Sequence, residues 1–208
     1  MSRDLDERMM RRAIASARVM LGFTWPNPAV GCVIARGDEI IAEAVTAPGG
    51  RPHAEEQALE LAGDKAKGAT VYVTLEPCGQ RSNGVTSCSQ RLEHARVGRV
   101  IIAADNPEPL SAGRGVERLR AHQVPVEIGF LAGEAEPLYR AFRHKLATGL
   151  PMVELSDAGE GFDAAFEINP GENPNTALQR LGRAGYSRVW VKPGSTLALD
   201  LKSQGFLT

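Results

Sequence analysis

Apolar positions recur at two different periods along this chain. The stretch DERMMRRAIASARVM repeats them at helical spacing, which predicts an N-terminal helix. The runs AVGCVIA and EIIAEAV are rich in strand-forming residues and flank Arg36-Gly37-Asp38, so they predict a hairpin. In RPHAEEQALELA the positions Ala54, Ala58, Leu59 and Ala62 return to helical spacing. The β-branched and aromatic run TVYVTL then predicts a strand, SQRLEHARV a helix and RVIIAA another strand. A helix from about Gly115 to His122, the strand VPVEIG and a helix from about Gly133 to Ala147 follow. Strands alternating with helices after an initial hairpin imply an α/β fold, a mixed sheet covered on both faces.

Composition narrows the functional classes. The chain has 208 residues, 43% hydrophobic and 24% charged, with a formal net charge of −1. That suits a globular protein with one good core and a smaller second one. No basic excess points to duplex nucleic acid. No apolar run approaches membrane-spanning length, and the acidic opening MSRDLDERMMRR does not read as a secretory signal. Three cysteines fit a reducing cytoplasm better than a disulfide framework.

The chemistry concentrates in His53-Ala54-Glu55, Pro77-Cys78 and Cys88. One imidazole and two thiolates make three ligands for zinc, the fourth position being left to water, and Glu55 is a carboxylate that the metal does not need. Nine residues separate the cysteines, a gap that alone says little. Context adds to it: His53 and Cys88 open helix-like segments, where partial positive charge favours thiolate over thiol, and Cys78 ends a strand. Cys32, in AVGCVIA, reads as a small apolar core residue. His94, His122 and His144 lie on helix-like segments and read as ordinary helix-face histidines.

Taken with the stretches MMRRAIASA, TWPNPAVGCVI, GGRPHAEEQAL, GATVYVTLEPC, VGRVIIAADNPEP and AGRGVERLRAHQVPVEIG, this constellation resembles the deaminase domain of the bifunctional riboflavin biosynthesis deaminase/reductase, a branch of the cytidine-deaminase-like zinc deaminases. The resemblance covers residues 1–148 and implies a three-layer αβα sandwich. It makes His53, Cys78 and Cys88 the ligands of one zinc ion and Glu55 the proton shuttle. It places Asn27, between Pro26 and Pro28, against an aminopyrimidine substrate, whose mixed donor and acceptor edge an amide suits. The expected substrate is the diaminohydroxyphosphoribosylaminopyrimidine of riboflavin biosynthesis, and the expected assembly a homo-oligomer, a dimer in the first instance.

The chain also departs from the family pattern. Thr46 and Gln80 stand where the family places imidazoles, and the Cys78–Cys88 loop is one residue longer. Asp105-Asn106-Pro107-Glu108-Pro109 replaces an Asp-Pro-Asn-Pro run. In the family these positions face the sugar-phosphate side of the substrate, where Arg51 and Arg81 offer phosphate contacts. The departures leave open a deaminase of another free or modified nucleobase. A non-catalytic, zinc-stabilised partner protein is the other alternative, and the presence of Glu55 speaks against it.

Residues 149–208 form the second expected unit, a short α/β extension. LPMVELSDAGEGFDAAF resembles the first strand of the family's reductase domain, and ALQRLGRAGYSRVWVKPGSTLALDLKSQGFL a late helix-strand-helix of it. NPGENPNT reads as a connecting loop. About sixty residues cannot build the usual two-layer dinucleotide site, and no Gly-x-Gly-x-x-Gly fingerprint is present, so NADPH is not expected to bind.

Overall fold

The computed structural model describes residues 2–80, 84–109 and 111–207. Helix α1 (Arg3–Val19) leads into the hairpin of β1 (Gly31–Arg36) and β2 (Glu39–Val45). Helix α2 (Ala54–Ala62), strand β3 (Thr70–Leu75), helix α3 (Cys88–His94), strand β4 (Arg99–Ala104), helix α4 (Arg114–Ala121), strand β5 (Val126–Ile128) and helix α5 (Ala132–Thr148) follow. The strands make one mixed sheet in the order β2-β1-β3-β4-β5. β1 pairs antiparallel with β2 and β3, while β3–β4 and β4–β5 are parallel.

Why TVYVTL lacks polar alternation is now plain. β3 is the middle strand, every residue of it is buried, and helices cover both faces. α1 packs on β1 and β3 and meets α5 on the same side, while α3 packs against both α2 and α4. The principal core joins Met10 and Ile14 of α1, Val33 and Ile34 of β1, Val71 and Val73 of β3 and Ile101 of β4. One buried polar cluster tethers α1 to this core. Tyr72 donates to Asp6 at 2.6 Å, and Arg99 reaches the same carboxylate at 2.5 Å.

Beyond α5 the chain makes a smaller layer from β6 (Met152–Leu155), β7 (Ala164–Ala165), α6 (Pro174–Arg183), β8 (Arg188–Val191) and α7 (Thr196–Ser203). The expected single strand over LPMVELSDAGEGFDAAF is two strands, and β8 pairs parallel with both of them. The strand order is therefore β6-β8-β7. This layer has its own core, with Val153, Phe166, Leu178, Val189 and Leu201 at its centre.

Candidate metal centre and pocket

Three local signals bring the ligand side chains together. His53 is the residue before the first turn of α2, whose position Gln57 fixes by donating to the carbonyls of Val45 and Pro52. Cys88 opens α3 behind a capping box, in which the Ser87 hydroxyl accepts from the Gln90 amide and the Gln90 side chain accepts from the Ser87 amide. Cys78 follows the carboxyl end of β3, which is also the carboxyl end of its parallel neighbour β4, a place where sites commonly form in α/β sheets. The start of α3 closes on it: Cys88 N donates to Cys78 Sγ at 3.2 Å, and Ser89 donates to the Cys78 carbonyl from both its amide and its hydroxyl.

His53 Nδ1 lies 3.4 Å from Cys88 Sγ and 3.9 Å from Cys78 Sγ, and the three ligand atoms all lie within 4.8 Å of one another. Tetrahedral zinc with bonds of about 2.0–2.3 Å separates its ligand atoms by roughly 3.5–3.8 Å, so the trio fits that ion. The Cys78 thiol is held well below its ordinary range, chiefly by the hydrogen bond from Cys88 and then by His53, against the opposing effect of burial. That favours the thiolate a metal requires. Cys32, by contrast, is fully buried in β1, and burial pushes its thiol up.

Glu55 sits in the first turn of α2 and is 3% exposed. Burial raises its pKa, and the neighbouring His53 partly offsets that. A carboxyl group so placed can hold a proton and release it again. One cavity is lined by Asn27, Thr46, His53, Glu55, Glu76 and Cys78, among others. Asn27 Nδ2 donates to the Gly50 carbonyl at 3.1 Å, which orients the amide.

The remaining sequence-predicted positions spread out. Thr46 reaches the cavity, but its hydroxyl accepts from Val30 N at 3.1 Å. Gln80 is exposed, accepts from Arg114 at 3.0 Å and lines a separate cleft with Arg114 and Arg118. Arg51 is exposed. Arg81 lies outside the described residues. His94 and His122 are exposed, and His122 contacts Glu93 at 3.2 Å.

Glu76 carries more structure than its sequence position announces. It is 4% exposed, and its carboxylate accepts from Asn106 N, Gly113 N and Val116 N at 3.3, 3.1 and 3.3 Å. Gly113 precedes α4 and has no side chain to cap it, so a glutamate from the end of β3 does so. Glu76 thereby fixes the Cys78 segment to α4 and to the Asn106 turn. Its place beside Pro77-Cys78 was the only available signal.

Residues 3–104 match the family described as the cytidine and deoxycytidylate deaminase zinc-binding region. The chain is 41% identical to the riboflavin biosynthesis protein RibD of Escherichia coli (strain K12) over 168 residues, 81% of this chain and 45% of that protein. Over that region it is similar to the cytidine-deaminase-like zinc deaminases. It is also 43% identical to RibD of Actinobacillus pleuropneumoniae over 201 residues, 94% of this chain and 52% of the relative. The structure of Acinetobacter baumannii RibD, form 2, superposes on this chain with a TM-score of 0.82 at 27% identity, covering 98% of this chain and 84% of that one. The chain spans about half the length of the curated relatives it matches. No helix among the described residues is long and apolar enough to cross a membrane.

Proposed function

We propose that the protein is a zinc-dependent hydrolytic deaminase of the riboflavin-pathway diaminohydroxyphosphoribosylaminopyrimidine, with residues 1–148 as its catalytic unit. The observation that carries this reading is the His53, Cys78 and Cys88 trio, with buried Glu55 lining the same cavity as His53 and Cys78. His53, Cys78 and Cys88 would hold one zinc ion per chain, which would supply a water acidified toward neutral pH. Glu55 takes the proton of the attacking water and passes it to the ring nitrogen beside the amine-bearing carbon. It then takes the proton of the new hydroxyl group on that carbon and delivers it to the amino group, which departs as ammonia and leaves a carbonyl on the ring. Asn27, with its Nδ2 held by Gly50, offers its carbonyl oxygen to an amino group of the pyrimidine. The relatives named for riboflavin biosynthesis support the choice of substrate.

The Thr46 hydroxyl engaged by Val30 and the Gln80 side chain engaged by Arg114 favour a second reading, a deaminase of a free or modified base. Ammonia release from a panel of phosphorylated and free aminopyrimidines tests both. Turnover of the ribosyl phosphate above all others supports the first reading, and turnover of a free base alone replaces it with the second. In either case we read residues 149–208 as a reduced reductase-like unit that does not take NADPH, because its three-stranded sheet is small.

A further inference from the structure

The small C-terminal layer touches the catalytic unit at one place that matters for chemistry, the loop from Leu21 to Pro28. Asn27 sits on the inner side of this loop. There the loop is tied to the segment before His53: Asn27 Nδ2 donates to the Gly50 carbonyl, and Gly49 N donates to the Phe23 carbonyl at 2.9 Å. The loop also closes on itself, with Asn27 N donating to the Thr24 carbonyl and the Thr24 hydroxyl donating to the Asn27 carbonyl.

Its outer side rests on residues far away in sequence. The Trp25 ring lies 4.5 Å, centroid to centroid, from that of Tyr186. Lys145 Nζ donates to the Gly185 carbonyl at 2.9 Å and reaches the Pro26 carbonyl at 3.5 Å, so one ammonium bridges the loop and the C-terminal layer. Two glycines mark how tightly the surfaces meet. Gly185 has φ of +98°, and a Cβ there would lie 2.7 Å from Pro26 Cβ. A Cβ on Gly22, at φ of +84°, would collide with the Phe162 carbonyl oxygen. The C-terminal layer is itself held in register at this point, since Asp163 accepts from the amides of Ser187 and Arg188.

We propose that residues 150–207 act as a buttress for the Asn27 loop, with Lys145 as its clamp and Tyr186 as its wedge, and so set substrate affinity. The proposal rests on the reading of Asn27 as a substrate contact. A preorganised amide loses less freedom when the substrate arrives. Because Asn27 meets the ring before and during the reaction, loosening it weakens ground state and transition state alike, which raises KM and spares kcat.

The test uses the full chain carrying Tyr186→Ala, Lys145→Met or Lys145→Arg. Amide hydrogen exchange reads the loop without any substrate. In the Ala and Met variants, exchange at Asn27 N and Gly49 N should accelerate about tenfold or more, while α3 and the zinc content stay unchanged. On the riboflavin-pathway aminopyrimidine the same two variants should show KM raised about tenfold with kcat within about twofold, and Lys145→Arg should restore both readouts. Unchanged exchange in both variants overturns the buttress. Faster exchange with unchanged KM, or a fall in kcat alone, overturns its role in affinity. If the parent protein releases no ammonia from that substrate, the functional reading fails by itself, and the exchange arm still decides whether the layer supports the loop.

Discussion

Replacing Glu76 by glutamine removes a charge while nearly preserving shape. The two oxygens of the carboxylate serve three backbone donors, with Oε2 taken by Asn106 N and Gly113 N and Oε1 by Val116 N. An amide keeps one acceptor oxygen. If that oxygen stays with Asn106 and Gly113, the new NH2 group faces Val116 N–H, donor against donor. A lost hydrogen bond to a charged group costs about 1.5–3 kcal/mol. Removing a negative charge from the start of α4 adds about 0.3–1 kcal/mol. The expected destabilisation is about 2–4 kcal/mol, a large share of the roughly 5–15 kcal/mol that holds a domain folded. With a urea slope of about 2 kcal/mol per molar, the midpoint followed by circular dichroism should fall by about 1–2 M. Glu117→Gln is the control, since Glu117 is an exposed acid in the same first turn. It tests the charge effect without the buried bonds and should cost no more than about 0.3–1 kcal/mol. Equal losses in the two variants, or a loss below about 0.5 kcal/mol for Glu76→Gln, would refute the capping argument.

Three further outcomes are expected. Cys78→Ala and Cys88→Ala should each lose zinc by metal analysis, and full occupancy in both would remove the ligand assignment. Glu55→Gln should retain zinc and fold while turnover drops about 10²-fold or more, the scale of a lost acid-base group; normal turnover would exclude Glu55 as the proton shuttle. Calorimetric titration with NADPH should show no binding at millimolar concentration, and a micromolar dissociation constant would restore a dinucleotide site in residues 149–208.

The parts of this protein legible in its sequence are those that depend on near neighbours. Helix α2 follows from the spacing of Ala54, Ala58 and Ala62, and the hairpin turn from Gly37 and Asp38. The proposed metal ligands are marked in the sequence because His53 and Cys88 stand at helix starts and Cys78 after a strand end. What escaped depends on distant partners. Glu76 meets donors at positions 106, 113 and 116, and no periodicity records such contacts. Thr46 and Gln80 were read by their family positions, whereas their hydrogen bonds to Val30 and Arg114 are set by the folded surroundings. The stretch from Leu150 to Phe166 resembles one strand of the family's reductase domain, but it forms two. Gly159 and Gly161, both at positive φ, let its middle turn so that each end flanks β8.

The placement of β8 between β6 and β7 also orders events on the ribosome. All five strands of the larger sheet have been made by Ile128, and nascent chains fold N-terminal units first. β6 and β7 then wait for their shared partner, which begins only at Arg188, about sixty residues after Ile128. For that interval the metal-binding half is assembled while Trp25 has no Tyr186 to lean on. On the buttress reading, completion of the small sheet is thus a maturation step for the large one, since the Trp25–Tyr186 contact joins the loop's bonds to Gly50 and Thr24 only late in synthesis.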